Sequence, residues 1–196
     1  MHIFINIAVR RLSKIIVFLT LSLIFVGALI KSHEVGLSVP DWPTSYGKQM
    51  FLFPFSEMVG GIFYEHGHRL FATIVGFFTL LQFIVLSFTD HPLWVKKMSF
   101  VALVLVITQG LLGGMTVIFF LPPQISILHG VLAQIFFVSI IFIAYSLSDS
   151  RLNKKKESYP LFIKRGALII TLLVFVQLVL GALVRHTSSG LAIPDF

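Results

Sequence analysis

The sixteen residues Gly27-Ala28-Leu29-Ile30-Lys31-Ser32-His33-Glu34-Val35-Gly36-Leu37-Ser38-Val39-Pro40-Asp41-Trp42 recur 154 positions later. The second copy is Gly181-Ala182-Leu183-Val184-Arg185-His186-Thr187-Ser188-Ser189-Gly190-Leu191-Ala192-Ile193-Pro194-Asp195-Phe196. Seven of the sixteen positions are identical, and Ile30/Val184, Lys31/Arg185, Val39/Ile193 and Trp42/Phe196 are conservative. Apolar stretches match one another easily by chance. The Gly-Leu-x-aliphatic-Pro-Asp-aromatic run that ends each copy does not. A repeat at a fixed period reports a duplicated structural unit, and duplicated halves are common in polytopic membrane proteins.

The composition says which medium that unit occupies. Of 196 residues, 57% are hydrophobic and 12% charged, with mean hydropathy +0.96. Soluble domains carry about 25% charged residues, so a soluble domain and a disordered chain are both excluded. A helix crossing the hydrocarbon core needs roughly 20 apolar residues. Five uncharged stretches meet or approach that length: 15–30, 70–89, 98–121, 125–148 and 166–184. No small-x-small cleavage site follows the first stretch, so it reads as a retained span rather than a signal peptide.

With five spans, the N-terminus, the second loop and the fourth loop share one side. That side carries 11 of the 15 Lys and Arg residues. Positive charge marks the cytoplasm, which places the N-terminus inside and residue 196 outside. The net charge of +7 is thereby a topology signal, and no nucleic-acid partner is expected. Both repeat copies leave the membrane on the same side, so an even number of helices separates them. The fold class is an all-α polytopic membrane protein. Residues 1–150 form a four-helix unit, and 151–196 form a cytoplasmic linker plus the first helix of a parallel second unit. The chain then reads as part of a protein with eight spans.

Ionisable residues at membrane depth are costly and usually functional. Glu65, His68 and His129 stand out. In Glu65-His66-Gly67-His68-Arg69, Glu65 and His68 are three apart and share a helix face, and Arg69 is four from Glu65 and placed to pair with it. His66 points about 200° away from His68, toward lipid headgroups or a loop. His129 enters the fourth span from the same side as His68 enters the second. Two histidines at one level on neighbouring helices of a four-helix bundle are a recurrent way to hold a metal or heme. The chain has no cysteine, so disulfides, thiolate metal sites and Cys nucleophiles are excluded.

The bland readings stand beside these. A lone membrane histidine also serves as a hydrogen-bond partner between helices. Gly113, Gly114 and Gly130 suit plain helix packing as well as close approach of a flat macrocycle. Gln109 and Gln134 are candidate hydrogen-bond donors within the bundle. The first outer loop, rich in Trp42, Tyr46, Phe51, Phe53 and Phe55, either caps the bundle mouth or forms an interfacial belt. Asp41 reads as turn chemistry. His2, His33, His91 and His186 read as solvated or interfacial.

Four segments together resemble the heme A synthases of the respiratory oxidase assembly pathway. They are Gly36 to Pro43, Glu65 to Arg69, Gln109-Gly110-Leu111-Leu112-Gly113-Gly114-Met115-Thr116-Val117, and Leu128-His129-Gly130 with Ala133-Gln134. The resemblance covers essentially the whole chain. It implies two four-helix units in one protein, the first handling the substrate heme and the second, which would follow residue 196, holding heme b. It implies oxidation of a methyl group of heme O to the formyl group of heme A through successive hydroxylations. By the same resemblance Glu65 is the catalytic carboxylate, and His68 and His129 are the axial ligands of the heme iron. The implied partners are heme O, the lipid bilayer, heme O synthase, oxidase assembly factors and a further copy of the chain. The implied location is the bacterial plasma membrane. Many relatives carry a cysteine pair in the first outer loop, and this chain matches a cysteine-free subgroup.

Two other classes use the same histidine pair. A membrane cytochrome b would keep heme as a permanent cofactor and need no carboxylate. A heme-delivery or assembly subunit would bind without catalysis. Transport fits poorly, since no charged path or broken helix crosses the full membrane depth.

Overall fold

The computed structural model describes residues 2–148, 151, 159–187 and 189–191, with the side chains of 2–5 and 191 left out. Lys154, Lys155, Lys156, His2's side chain and the end of the second repeat copy, Ala192 to Phe196, lie outside the described residues. Five long helices carry the fold: α1 (His2–Ser32), α2 (Gly61–Ser87), α3 (Leu93–Ile118), α4 (Pro123–Ser146) and α5 (Leu161–His186). All five are long and apolar enough to cross a membrane, as expected of a multi-pass membrane protein. Each begins before the uncharged stretch read from the sequence, while α2, α3 and α4 end two or three residues short of its close. The charged residues at their ends, such as Arg10 and Arg69, continue the helix into the interfacial layer, where long side chains reach water.

Local chemistry sets the helix ends. Gly60, at φ +54°, starts α2 from a conformation that costs a side chain but not glycine. Pro92 and Pro122 precede α3 and α4, and Pro123 occupies the first helical position of α4, where its missing N–H is no loss. The α3 end is a two-bond reversal: Leu121 N–H donates to Thr116 O and Phe120 N–H to Val117 O. Phe120 and Leu121 both sit at positive φ there. The end of α1 repeats the device, with Val35 N–H to Ile30 O, Glu34 N–H to Lys31 O and Glu34 at φ +56°.

The first four helices pack as a closed ring, α1 on α2, α2 on α3, α3 on α4 and α4 on α1. α5 lies outside this ring against α4, and none of its residues is buried. Arg185 near its end donates to the Ala28 carbonyl and to Ser32 Oγ on α1. A helix apolar all round and unburied suits lipid or a further protein surface.

The ring is not packed evenly. Its dry core comprises Val9, Ile16, Val75, Leu86, Val95, Ala102, Phe136, Ile140, Ile143 and Leu147. These residues occupy the half of the bundle near the α1 N-terminus and the α4 C-terminus. Gln82 of α2 crosses this half and donates to Ser13 Oγ of α1 at 2.6 Å. No member of the cluster lies beyond Ile16 on α1, before Val75 on α2, beyond Ala102 on α3 or before Phe136 on α4. The opposite half is where the candidate residues stand.

Candidate functional site

His68 projects from the first turns of α2 and His129 from the first turns of α4, both outside the dry cluster; these helices stand diagonally across the ring rather than side by side as the sequence reading has them, because each packs on α1 and α3. The two rings are close enough to act on one another electrostatically. In each, Nδ1 is sealed from solvent with no hydrogen-bond partner. Both residues are half-buried. Each ring rests on a glycine of a neighbouring helix. A Cβ on Gly27 of α1 would stand 3.2 Å from His68 Cε1, and one on Gly113 of α3 would stand 3.4 Å from His129 Cε1. Gln109, one turn from Gly113, has a buried Nε2 without a partner, and its backbone acts on the His129 ring.

Glu65 lies one turn before His68 and is buried. Its Oε1 accepts from Arg69 Nη2 at 2.7 Å and its Oε2 from the Val39 N–H at 3.0 Å. The pairing with Arg69 expected from the spacing is present. The same guanidinium donates to the carbonyls of Val39, Asp41 and Thr44. One arginine thus ties the first outer loop to the start of α2 beside the histidine.

The loop caps the bundle mouth. Trp42 lies so close to Gly114 of α3 that a Cβ there would stand 2.5 Å from the indole ring. Leu121 presses on Gly36 in the same way, at 3.2 Å. Within the loop Asp41 does the turn work expected of it. Its carboxylate accepts from Thr44 Oγ1 at 2.5 Å, Tyr46 N–H at 2.7 Å and Gly47 N–H at 2.8 Å. Burial raises the Asp41 pKa, but these hydrogen bonds outweigh it and leave the carboxyl below its ordinary value.

His66 faces the loop, the second of the two surroundings expected from the sequence. It does not reach lipid headgroups. It is 0% exposed, beneath the loop, with Nδ1 2.9 Å from Ser45 Oγ and its ring tilted on Phe53. Its Nε2 is sealed and unpartnered. No periodicity argument finds this, because the loop that covers it returns from 21 residues upstream. His33 is exposed and stacks on Tyr64. His91 and His186 are half-buried rather than fully solvated. Gly130 faces open space, so nothing here assigns it a packing role.

Among the described residues, no group of three or more His, Asp or Glu side chains forms a metal site. Heme asks for less: two neutral imidazoles and room for a plane. His68 and His129 supply the two imidazoles, and the small residues Gly27 and Gly113 stand against their rings, so the donor set fits heme.

Residues 10–196 match the COX15-CtaA family, described as cytochrome oxidase assembly protein. The chain belongs to this family. Among curated relatives it is similar to a heme A synthase of Bacillus pumilus, 30% identical over 96% of the chain and 62% of the relative. It is also similar to heme A synthases of Shouchella clausii, 29% identical over 95% and 62%, and Exiguobacterium sibiricum, 27% identical over 93% and 62%. The chain therefore spans about three-fifths of the length of the family members it matches. No solved structure matches it. The resemblance read from the four segments is thus a family membership.

Proposed function

We propose that the four-helix unit of residues 1–150 binds heme O between His68 and His129, as the substrate of a heme A synthase that converts a ring methyl group to a formyl group. The observation that carries this is the imidazole pair, unpartnered in a membrane interior, each ring seated on a glycine in the half of the bundle that the dry core leaves open. Neutral imidazoles are good ligands for heme iron, and His68 and His129 would hold it. Heme iron supplies the redox chemistry when bound. The chain's own groups bind, orient and handle protons.

Glu65 is proposed as the catalytic carboxylate. Each of its oxygens already accepts one hydrogen bond and keeps a second lone pair, so it can take a proton from a substrate group without losing Arg69. Arg69 holds the carboxylate in place, and the Trp42 cap screens the cleft from water, which strengthens the electrostatics inside it. Residues 151–191 are proposed as a linker and the opening helix of the second unit, with the N-terminus in the cytoplasm of a bacterial plasma membrane. Heme b in the remainder of the whole protein, and contacts with heme O synthase, oxidase assembly factors or a second copy, belong to the same proposal.

The test is heme extraction from the purified 196-residue chain beside His68→Ala and His129→Ala. Farnesylated heme retained by the parent chain and lost in both variants is the expected result. Heme b alone would favour the permanent cytochrome. In the whole protein, Glu65→Gln should cut formyl-heme yield by about a hundredfold or more, the lower end for loss of a proton-transfer group. An unchanged yield would remove Glu65 from the chemistry.

A further inference from the structure

The ends of α1 and α5 meet beside the histidine pair and bring three basic side chains together. Arg185 of α5 donates through Nη2 to the Ala28 carbonyl at 3.2 Å and to Ser32 Oγ, both on α1. Ala28 follows Gly27, which stands against the His68 ring, and Lys31 lies about one helical turn beyond Gly27. His186 is close enough to His129 to act on it electrostatically, and Lys31 and Arg185 act in turn on His186. The basic cluster therefore borders both imidazoles, on the His68 side through α1 and on the His129 side through α5. Basic residues often complement the negative end of their own helix, but Arg185 crosses to α1, where Ser32 adjoins Lys31. Among the described residues no carboxylate pairs with Lys31 or Arg185. Like charges brought to one place without an acid repel, and an anion relieves that repulsion. Lys31 and Arg185 are also equivalent positions of the 154-residue repeat. Neither the ligation of iron nor proton transfer at Glu65 uses them.

We infer that Lys31 and Arg185 anchor the two propionates of the substrate heme, so that α5 belongs to the first heme site as well as opening the second unit. The inference rests on the heme reading above. A heme carries both carboxylates on one edge of its ring, and both cations stand at the end of the bundle where α2 and α4 begin. The macrocycle is then held by iron at its centre and by charge at one edge, which fixes its rotation in the cleft. Arg185 offers a guanidinium fork that matches a carboxylate, and Lys31 a point charge on a flexible stem. His186 adds an N–H donor beside them.

The experiment is a spectral titration of the 196-residue chain in neutral detergent, with heme O and heme O dimethyl ester as separate probes. The ester keeps the iron and the ring but carries no propionate charge. Crossing each ligand with each variant cancels differences in detergent partition and in folding. Lys31→Gln and Arg185→Gln should each weaken heme O about fivefold, the upper end for an exposed ion pair, and leave the ester unchanged. Arg185→Lys keeps the charge and should recover most of the loss. Equal weakening of both ligands would overturn the anchor, because the variants would then act on the fold or on the iron site. Unchanged heme O binding in both variants would overturn it as well. The heme reading fails separately: the parent chain would then give no bis-imidazole spectrum with either ligand, and the anchor would fall with it.

Discussion

Gly27, Gly113 and Gly114 show how much the candidate site depends on missing side chains. A methyl group on Gly27 would press His68 at 3.2 Å, closer than the 3.4 Å between a Gly113 methyl and His129. Gly27→Ala should therefore shift the absorption spectrum of bound heme more than Gly113→Ala does. Equal shifts would mean that the rings move freely and are not seated. Gly114→Ala has nowhere to put its methyl group, 2.5 Å from the Trp42 ring. Overpacking of this kind costs about 1–3 kcal/mol. Thermal unfolding in detergent should report that loss, and Trp42 emission in a Trp94→Phe background should show the indole displaced. Asp41 yields a pH dependence. Its folded pKa lies below the ordinary aspartate value, so it stabilises the loop above that value and the contribution is lost as pH falls through the folded pKa. Hydrogen exchange of residues 41–47 should accelerate at acid pH in the parent chain. In Asp41→Asn, exchange should be fast throughout, with no acid step.

At the scale of helices, the Gln82–Ser13 bond is the informative contact. It joins α1 to α2 through fully buried groups, yet Gln82 Oε1 remains unpartnered. Interhelical hydrogen bonds in membranes average about 0.6 kcal/mol, whereas stranding a buried polar group costs about 1–3 kcal/mol. Ser13→Ala strands the Gln82 amide and should destabilise by the larger amount. The double variant with Gln82→Leu removes both groups and should recover most of it. Denaturant titration in mixed micelles measures both, and an additive double variant would mean that the two side chains do not share a bond in the membrane. The same contrast explains α5. Apart from a half-buried stripe through Phe175, Val179 and Ala182, its apolar surface is exposed, and sequence pattern alone cannot distinguish a lipid-facing helix from one awaiting a protein neighbour.

For the whole molecule, the closed ring of four helices predicts that the first unit folds without α5. A chain ending at Ser148 should keep its helicity and most of its thermal stability, because none of the dry core comes from α5. Loss of cooperative unfolding in that shorter chain would mean that residues 1–150 are not a unit.

Much of this was legible in the residues. Hydrophobic length sets the number of helices, since each must satisfy its own backbone in lipid. The 154-residue repeat sets the four-helix unit, and helical periodicity sets Glu65, His68 and Arg69 on one side of α2. Each of those inferences depends on local spacing. What depends on contacts between distant segments was not available that way. The burial of His66 under Ser45 and Phe53, the reach of Arg69 to Val39, Asp41 and Thr44, and the seating of His68 on Gly27 each join parts of the chain 13 to 41 residues apart. So does the division of the bundle into a dry half and an open half. The sequence by itself determined that five helices cross a membrane and that two histidines enter it from one side. Only the tertiary structure decided that a loop closes over them and that their rings stay unpaired, because packing is a property of surfaces brought together and not of their order along the chain.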